Sequence, residues 1–532
     1  MTSHTPRPAI SGDDGRPFQA DTEFSGKHLY FIGIGGSGMS GLAQMLARRG
    51  AACSGSDALP SDLTRVLAEQ GIPVATGAPT GELPPRCDLV IASAAIRPDH
   101  PEVLAAEARD IEVIHYAEAL GRAQRGRTAV SVAGTHGKSS TTAMLAHILI
   151  EAGFDPSVIV GATCSHLGGG SRTGSLTIPR GTLKGRPGIL VCEACEFNRS
   201  FHHHRPTIAL INNVEEDHLD CYANIDAIVQ SFREFAELLP PIDAGPGLGG
   251  KLLIADEGAH RREITAGLRC EVSTFGFSPM ADYQVVFDAR ASRVGVLQDG
   301  VWLGQWTLAL HGDHMALNSA AAAIMAHWLG VEWEDIAAAL PTFRGVDRRM
   351  QRLGSRPARV GGPAGTAEEV VVYDDYGHHP TECEKTLRAL RAFENPRRLI
   401  CVFQPHQHSR TRFLLDQFAT SFSSADIVIV PHIYFVRDSE IEKTKVSAND
   451  LVDKLRERRV DALHIPHFPE IVDHLESICR PGDLVVVMGA GPVNQTAEEY
   501  LRRARTASGH DAGAGASLRE GVVASPLDGP LP

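Results

Sequence analysis

The chain has 532 residues, of which 43% are hydrophobic and 22% are charged, and its formal net charge is −13. A chain of this length is too long for a single hydrophobic core and is predicted to form about three domains. The mixed composition excludes a protein that is mostly disordered or fibrous. The negative charge, without any long basic block, disfavours a nucleic-acid partner, although backbone amides can still bind small anions.

Targeting and redox features indicate a cytoplasmic protein. No apolar run approaches the roughly 20 residues that a membrane span requires, so we expect no membrane insertion, and the polar N-terminal segment does not resemble a signal peptide. The 10 cysteines are scattered, which is typical of reduced thiols. Cys192 and Cys195 form a lone CxxC pair, which lacks the second pair of a zinc ribbon.

Short apolar runs alternate with helix-like segments along the chain, as at 28–36 and 39–50, 128–134 and 141–153, and 399–404 and 412–422. This alternation predicts an α/β protein with parallel sheets and crossover helices. We predict domains at 26–125, 126–345 and 346–505, with disordered tails at 1–25 and 506–532. The Gly/Pro-rich stretches 240–250 and 355–366 are predicted to be loops.

A glycine-rich turn follows the first predicted strand. Gly33, Gly35 and Gly38 have GxGxxG spacing before a predicted helix, and Asp57 follows near the end of the next predicted strand. The pattern is typical of a Rossmann-like domain that binds a diphosphate at a helix N-terminus. Taken alone, it fits an NAD-dependent oxidoreductase, another nucleotide ligand, or a tight turn that only needs small residues.

The second motif is the segment 134–140, GTHGKSS, between a β-branched run and a helical segment. Strand, loop and helix in this order are typical of a phosphate-binding loop, whose backbone N–H groups surround phosphate oxygens. Lys138 can then neutralise the β- and γ-phosphates, and the Ser139 hydroxyl can bind magnesium. Val132 stands where the common GxxxxGK[ST] pattern has its first glycine.

Two histidine-containing clusters lie farther along. The run at 202–204 is HHH, and without a further ligand at metal spacing it is predicted to be a polar surface segment. A predicted strand at 370–373 ends in Asp374, Asp375, Tyr376, His378 and His379. That second cluster, considered by itself, could bind a metal ion.

Together these strings resemble the Mur ligase family. GTHGKSSTT resembles the family's ATP loop, and GIGGSGMSGLA at 33–43 resembles its element for a UDP-linked substrate. GILVCEACEF, ALINNVEEDHLD, HGDHMALNSAAAA, FRGVDRRMQ and FQPHQHSRT resemble later family elements. The resemblance implies a Rossmann-like N-terminal domain, a central P-loop ATPase-like domain with a parallel sheet, and a C-terminal Rossmann-like α/β domain.

The resemblance also implies an activity. ATP and Mg²⁺ would serve as cofactors, and L-alanine would be joined to UDP-N-acetylmuramate through an acyl phosphate, in peptidoglycan biosynthesis. The partners would be these small molecules, and the sequence does not predict an oligomeric state.

Site residues are carried over from the family motifs. The implied ATP-binding residues are Gly134, Thr135, His136, Gly137, Lys138, Ser139, Ser140, Asn318, Arg349 and Asp375. The implied metal ligands are Ser139, Glu193 and His218. The implied substrate-binding residues are Gly35, Gly36, Ser37, Gly38, Met39, Ser40, Asp57, Ser93 and Tyr376. The implied catalytic residues are Lys138, Glu193, His218, His378, His406 and Arg410, with His378 or His406 as the base.

Several positions depart from the family pattern. Cys195 and Asn198 replace two acids, Ala94 a serine, Met315 an asparagine, Gln407 and His408 an arginine and a tyrosine, and Pro492 an acid. The substitutions near the acceptor-binding residues leave the identity of the acceptor amino acid more open than the type of reaction. The alternatives are a ligase of the same superfamily that attaches murein tripeptide, an NAD-dependent oxidoreductase, and a nucleotide-gated binding protein without turnover.

Overall fold

The computed structural model describes residues 23–219, 221–243, 249–358, 369–436 and 438–507. The tails predicted to be disordered lie mostly outside this part, at 1–22 and 508–532. Three β-sheets, each combined with helices, confirm the predicted α/β class.

The first unit is a parallel sheet of five strands with four helices. Its strands are β1 (His28–Ile32), β2 (Ala52–Asp57), β3 (Val74–Thr76), β4 (Leu89–Ala92) and β5 (Val113–His115). Its helices are α1 (Ser37–Arg48), α2 (Asp62–Glu69), α3 (Pro101–Ala108) and α4 (Tyr116–Gln124). The strand order is β3-β2-β1-β4-β5. The strand order switches between β1 and β4, since β2 and β3 lie on one side of β1, and β4 and β5 lie on the other. Parallel α/β sheets bind ligands at such a switch point.

The second unit is built on a sheet of ten strands. The strands are β6 (Thr128–Ala133), β7 (Ser157–Cys164), β8 (Gly169–Arg172), β9 (Ile189–Glu193), β10 (Ile208–Ile211), β11 (Lys251–Ala255), β12 (Glu271–Gly276), β13 (Tyr283–Asp288), β14 (Arg293–Gln298) and β15 (Val301–Thr307). The helices are α5 (Lys138–Glu151), α6 (Ile225–Ala236), α7 (Arg261–Thr265), α8 (Asp313–Trp328) and α9 (Trp333–Ala339). The order is β15-β14-β13-β12-β11-β10-β6-β9-β7-β8, with β6 parallel to both β9 and β10. The loops that follow these three strands therefore lie side by side.

The third unit is a sheet of six strands. Its strands are β16 (Gln351–Pro357), β17 (Glu369–Asp375), β18 (Arg398–Phe403), β19 (Ile427–Val430), β20 (Asp461–His464) and β21 (Asp483–Met488). Its helices are α10 (Pro380–Glu394), α11 (His408–Phe413), α12 (Leu415–Ser421), α13 (Ala448–Glu457), α14 (Phe468–Ile478) and α15 (Asn494–Ala507). The order is β16-β17-β21-β18-β19-β20, and only the edge strand β16 runs antiparallel to its neighbour.

Helix α1 attaches the first unit to the second. A Cβ added at Gly41 in this helix would lie 2.6 Å from the Cβ of Ser171 in β8, so glycine permits the close approach. Arg49 donates a hydrogen bond to the Ser157 hydroxyl at 2.8 Å. The two units also share one hydrophobic cluster, to which Leu42 of α1 and Ile159 of β7 both belong. Burial across this joint fixes the first unit against the central sheet.

Three details differ from the predictions. Residues 355–357 continue the edge strand β16 and are not part of the predicted loop. The predicted helix at 412–422 is divided into α11 and α12 at Leu414. His204 is 2% exposed, so it is not part of a polar surface run. None of the helices in the described residues combines the length and apolar composition of a membrane span.

Candidate active site

A cleft of about 1460 Å³, open to solvent, lies where the three units meet. Ser37 at the start of α1 lines it from the first unit, and Lys138 and Glu193 line it from the second. Tyr376 and His406, which follow β17 and β18, line it from the third. Residues that are distant in the sequence therefore share one cavity, because each follows the carboxyl end of a parallel strand or begins a helix there.

The phosphate loop depends on two glycines. Gly134 and Gly137 have φ angles of +135° and +82°, in the region that favours glycine. A Cβ at Gly137 would lie 2.6 Å from Oδ1 of Asn318, and one at Gly134 would lie 3.0 Å from Cβ of Asn212. Both positions therefore need glycine, and the loop holds the N-terminus of α5 open toward the cleft, where anions bind well.

Lys138 lies against its own loop and against a buried acid. Its Nζ donates hydrogen bonds to the carbonyl oxygens of Gly134 at 2.6 Å and Thr135 at 3.0 Å. It also pairs with Oε2 of Glu196 at 2.9 Å, and the Glu196 side chain is 3% exposed. Burial lowers the pKa of Lys138, but the negative charge of Glu196 outweighs it and raises the pKa. The ammonium group is therefore charged and held beside the loop.

Sequence reasoning missed Glu196. It is the second glutamate of the string EACE, three residues after Glu193 at the end of β9, and its partner Lys138 lies 58 positions earlier. The only available signal was the position of Glu196 in the string EACEF, which resembles a Mur ligase element. The structure adds it to the site as the counter-ion of the loop lysine.

The implied metal ligands Ser139, Glu193 and His218 line the same cleft. Glu193 accepts a hydrogen bond from the Gly161 N–H at 2.7 Å, which leaves its other carboxylate oxygen without this restraint. His218 has φ of +53° and its Nε2 lies 4.0 Å from Oε1 of Glu196. Mg²⁺ typically binds one or two carboxylates together with substrate phosphates and water. This donor set, facing a cleft next to the phosphate loop, fits that requirement.

A second cleft, of about 600 Å³, lies between the phosphate loop, α8 and α10. Seven implied ATP-binding residues line it: His136, Gly137, Ser139, Ser140, Asn318, Arg349 and Asp375. Met315 lines it too, and its Sδ lies 4.0 Å from the Asn318 amide nitrogen. A thioether is only a weak acceptor, so the departure at Met315 leaves the amide of Asn318 weakly restrained.

Asp375 accepts hydrogen bonds from the backbone at the rim of this cleft. Its oxygens accept hydrogen bonds from the N–H groups of Met350 at 2.7 Å and Gly377 at 2.6 Å. Burial raises its pKa to about 6, although Arg349 and these hydrogen bonds oppose the shift. The carboxylate therefore joins the turn after β17 to the segment that enters the third unit.

A third cleft, of about 910 Å³, lies at the carboxyl ends of the first sheet and is lined by Gly33, Gly36, Asp57 and Ser93. Asp57 accepts a hydrogen bond from the Gly35 N–H at 2.8 Å, so it also fixes the glycine-rich turn. The implied substrate residues divide among three places. Ser37 and Tyr376 line the central cleft, whereas Met39 and Ser40 are buried in α1. Gly38 is packed against Tyr116, whose hydroxyl would lie 2.7 Å from an added Cβ.

Sequence reasoning also missed Glu102 in this third cleft. Glu102 is 2% exposed, and its carboxylate accepts hydrogen bonds from the Ser56 hydroxyl at 2.6 Å and the Tyr30 hydroxyl at 3.1 Å. These contacts join α3 to β1 and β2, which are distant from it in sequence, so no local pattern predicted them.

Arg410 joins the second and third units. Its Nε and Nη2 donate hydrogen bonds to Oδ1 of Asp217 at 3.0 and 2.7 Å, and both side chains are less than 10% exposed. Burial raises the pKa of Asp217, but Arg410 and nearby histidines outweigh it and hold the pKa well below its usual range. This ion pair is therefore formed at neutral pH, next to His406, whose Nδ1 lies 3.1 Å from Nη1 of Arg410.

Comparison with known proteins identifies the family. The Mur ligase catalytic domain matches residues 28–128, the Mur ligase middle domain matches 132–326, and the Mur ligase glutamate ligase domain matches 348–491. This chain belongs to the Mur ligase family. The UDP-N-acetylmuramate–L-alanine ligase of Agathobacter rectalis is 37% identical over 481 residues, which cover 90% of this chain and 98% of that protein. The ligase of the same name from Gloeobacter violaceus is 37% identical over 502 residues, with coverage of 91% and 97%.

Solved structures of Mur ligases share the fold. The crystal structure of UDP-N-acetylmuramate–alanine ligase from Thermotoga maritima has a TM-score of 0.69 at 24% identity and covers 90% of this chain and 100% of that one. A murein peptide ligase from Psychrobacter arcticus has a TM-score of 0.65 at 23% identity, with coverage of 92% and 100%. These likenesses confirm the predicted architecture.

In this Mur ligase, His136 links the phosphate loop to the third unit. Its Nδ1 lies 3.2 Å from Oε1 of Glu382, and its Nε2 lies 3.5 Å from Oε2 of Glu215. Burial lowers the pKa of His136, but these two carboxylates outweigh it and raise the pKa to about 9. The loop histidine is therefore a cation at neutral pH, held between two acids that sequence reasoning did not single out.

The metal alternative for the C-terminal cluster is not supported. Among the described residues, only His136, Glu215 and His379 bring three possible metal ligands of the His, Cys, Asp or Glu type within reach of one another. His379 already uses both ring nitrogens, one facing the Glu216 carbonyl at 3.0 Å and the other the Thr381 N–H at 3.3 Å. We interpret this group as a hydrogen-bonded contact between two units.

The CxxC pair and the histidine run each contain a buried side chain, Cys192 and His204. Cys192 is buried at the end of β9 and Cys195 is exposed, and both thiols are free. His204 Nδ1 lies 2.9 Å from the Ser131 hydroxyl and 3.2 Å from the Gln124 amide nitrogen. Burial lowers the pKa of His204 to about 3, with smaller contributions from neighbouring charges. This neutral histidine therefore packs inside the joint between the first and second units.

Proposed function

We propose that this protein is a carbon–nitrogen ligase that joins L-alanine to UDP-N-acetylmuramate at the expense of ATP, in peptidoglycan biosynthesis. Relatives named UDP-N-acetylmuramate–L-alanine ligase are 33–37% identical to this chain over about nine-tenths of its length. The main support for the proposal is the set of residues that line the central cleft. The start of α1, the phosphate loop and the histidine- and arginine-rich edge of the third sheet all line it, as a reaction of three substrates requires.

The sugar nucleotide occupies the third cleft and reaches the central one. Its diphosphate lies at the N-terminus of α1, where backbone N–H groups are available, and Ser93 and Asp57 lie along the cleft wall. Because Ser37 at the start of α1 lines the central cleft, a substrate bound along this helix end can present its carboxylate to the phosphate loop.

ATP occupies the second cleft, with its phosphates on the loop. Asn318 contacts the adenine, Asp375 lies near the ribose, and Arg349 contacts the phosphates. The lactyl carboxylate attacks the γ-phosphorus to give an acyl phosphate and ADP, while Lys138 and the loop amides spread the developing charge. Ser139, Glu193 and His218 would hold Mg²⁺, which would supply positive charge to neutralise the phosphate oxygens.

The acceptor amino acid enters beside Arg410. This guanidinium gives three of its five N–H groups to Asp217 and His406, so two remain for the acceptor carboxylate. A small pocket of about 270 Å³ lies beside it, lined by residues that include Gln407 and Phe413. Gln407 stands where the family pattern has an arginine, so it supplies no second cation. Arg410 therefore holds the acceptor carboxylate with the help of neutral groups.

The function is tested by incubating the full chain with ATP, Mg²⁺ and UDP-N-acetylmuramate, with and without L-alanine. We expect phosphate release that requires both substrates and a product whose mass is that of UDP-N-acetylmuramoyl-L-alanine. Glycine, L-serine and murein tripeptide replace L-alanine in parallel reactions. A clear preference for the tripeptide would overturn the acceptor assignment, hydride transfer to NAD would indicate an oxidoreductase, and nucleotide binding without turnover would indicate a binding protein.

We further propose the domain limits 26–125, 126–345 and 346–505 and a cytoplasmic location. The linkers between the sheets support these limits, since α4 ends at Gln124 before β6 and the third sheet begins with β16 at Gln351. The 10 cysteines are scattered along the chain without a dense framework, and this usage supports a reducing compartment.

A further inference from the structure

Two imidazoles face each other in the central cleft and compete for the role of base. The ring centroids of His378 and His406 are 5.5 Å apart, with an interplanar angle of 64°. Both rings line the cleft beside Arg410. They differ in the partner of Nδ1, and that difference decides which nitrogen of each neutral ring carries the proton.

His378 has its proton on Nδ1. This nitrogen lies 3.1 Å from the carbonyl oxygen of Tyr376, a group that can only accept a hydrogen bond. It also lies 3.5 Å from Oε2 of Glu382, a second acceptor. Nδ1 must therefore donate, and the lone pair of the neutral ring is on Nε2.

His406 has the opposite arrangement. Its Nδ1 lies 3.1 Å from Nη1 of Arg410, and a guanidinium has only donors. Nδ1 therefore accepts, and the proton of the neutral ring is on Nε2. Arg410 is held in this orientation by its paired hydrogen bonds to Asp217 at 2.7 and 3.0 Å. The remaining nitrogen of His406 can donate a hydrogen bond but cannot take a proton.

We infer that Nε2 of His378 is the base that takes a proton from the acceptor amine, and that His406 is not the base. This inference rests on the proposed ligase function. The amine nitrogen forms a bond to the acyl carbon, and the bond from that carbon to the phosphate oxygen breaks with its electron pair leaving on phosphate. His378 takes the proton that the nitrogen loses as the amide forms.

The protonation state of His378 agrees with this role. Burial and the positive charge of Arg410 lower its pKa, Glu382 and Asp217 oppose them, and the result is a pKa of about 4. The ring is therefore neutral at neutral pH, and its lone pair is available before the acceptor binds.

Two matched asparagine variants separate the histidines. His378→Asn keeps an N–H donor for the Tyr376 carbonyl and removes Nε2, whereas His406→Asn keeps an acceptor for Arg410. Each variant is assayed for ligation of L-alanine and for hydroxamate formation when hydroxylamine replaces L-alanine. Hydroxylamine is mostly unprotonated at neutral pH, so it attacks the acyl phosphate without help from a base.

For His378→Asn, we expect ligation of L-alanine to fall by about 10²- to 10⁴-fold, while the rate of hydroxamate formation stays close to that of the unchanged protein. An equal loss in both reactions, or a loss of ligation smaller than about tenfold, would overturn the inference. So would a selective loss of ligation in His406→Asn. Melting curves identify a variant that has not folded, and failure of the unchanged protein to make any product would instead refute the proposed function.

Discussion

Replacing Lys138 by methionine is expected to lower kcat for ligation by about 10³-fold or more, because a fixed cation that stabilises transferring phosphate is usually worth at least that much. The side chain keeps its length but loses the charge that now lies 2.9 Å from Glu196. The rate is measured as phosphate release with ATP, UDP-N-acetylmuramate and L-alanine at saturating concentrations.

A second variant controls for stability. Lys138→Met leaves the buried carboxylate of Glu196 without its counter-ion, which is itself destabilising. The double variant Lys138→Met/Glu196→Gln removes that unpaired charge, so the melting temperature should recover while kcat stays low. Binding of UDP-N-acetylmuramate, measured by calorimetry, should be unchanged in both proteins. Activity within about tenfold of the unchanged protein would show that Lys138 does not contact the transferred phosphate.

Replacing Glu193 by alanine is expected to reduce turnover nearly to background. The structure places this carboxylate beside the phosphate loop, held at one oxygen by the Gly161 N–H. Because Glu193 is proposed to bind Mg²⁺, its replacement would remove a hard anionic ligand. Steady-state rates measured across a range of Mg²⁺ concentrations test this assignment.

Glu193→Asp supplies the matched control. It keeps a carboxylate that is one methylene shorter, so part of the activity should return, with a higher Mg²⁺ concentration needed for half-maximal rate. Near-normal ligation by the alanine variant at low Mg²⁺ would remove Glu193 from the metal site.

Local sequence patterns were sufficient for the parts of the site that lie on one strand–loop–helix unit. The Gly134 to Ser140 loop follows β6 and opens α5, as its β-branched run and its Gly-Lys-Ser turn predicted. The glycine-rich turn before α1 followed the same logic. In both cases the residues that make the turn and the residues proposed to bind phosphate are adjacent in sequence, so one short string contains the information.

Long-range partners could not be predicted in this way. Glu196 is 58 positions from Lys138, Asp217 is 193 positions from Arg410, and Glu382 is 246 positions from His136. Each pair depends on how the sheets are placed against one another, and an isolated Glu or Asp at a strand end is usually a solvated residue. The proton positions of the two cleft histidines are also set by tertiary partners.

One measurement tests the central claim, that a carboxylate is activated as an acyl phosphate and then captured by L-alanine. UDP-N-acetylmuramate labelled with ¹⁸O in both oxygens of its lactyl carboxylate is converted with ATP and L-alanine, and the inorganic phosphate is analysed by mass spectrometry. The proposed mechanism predicts that each phosphate released carries one ¹⁸O atom and that the amide product retains the other. Phosphate without ¹⁸O would mean that water cleaves ATP, and it would contradict the assignment of this protein as an acyl-phosphate ligase.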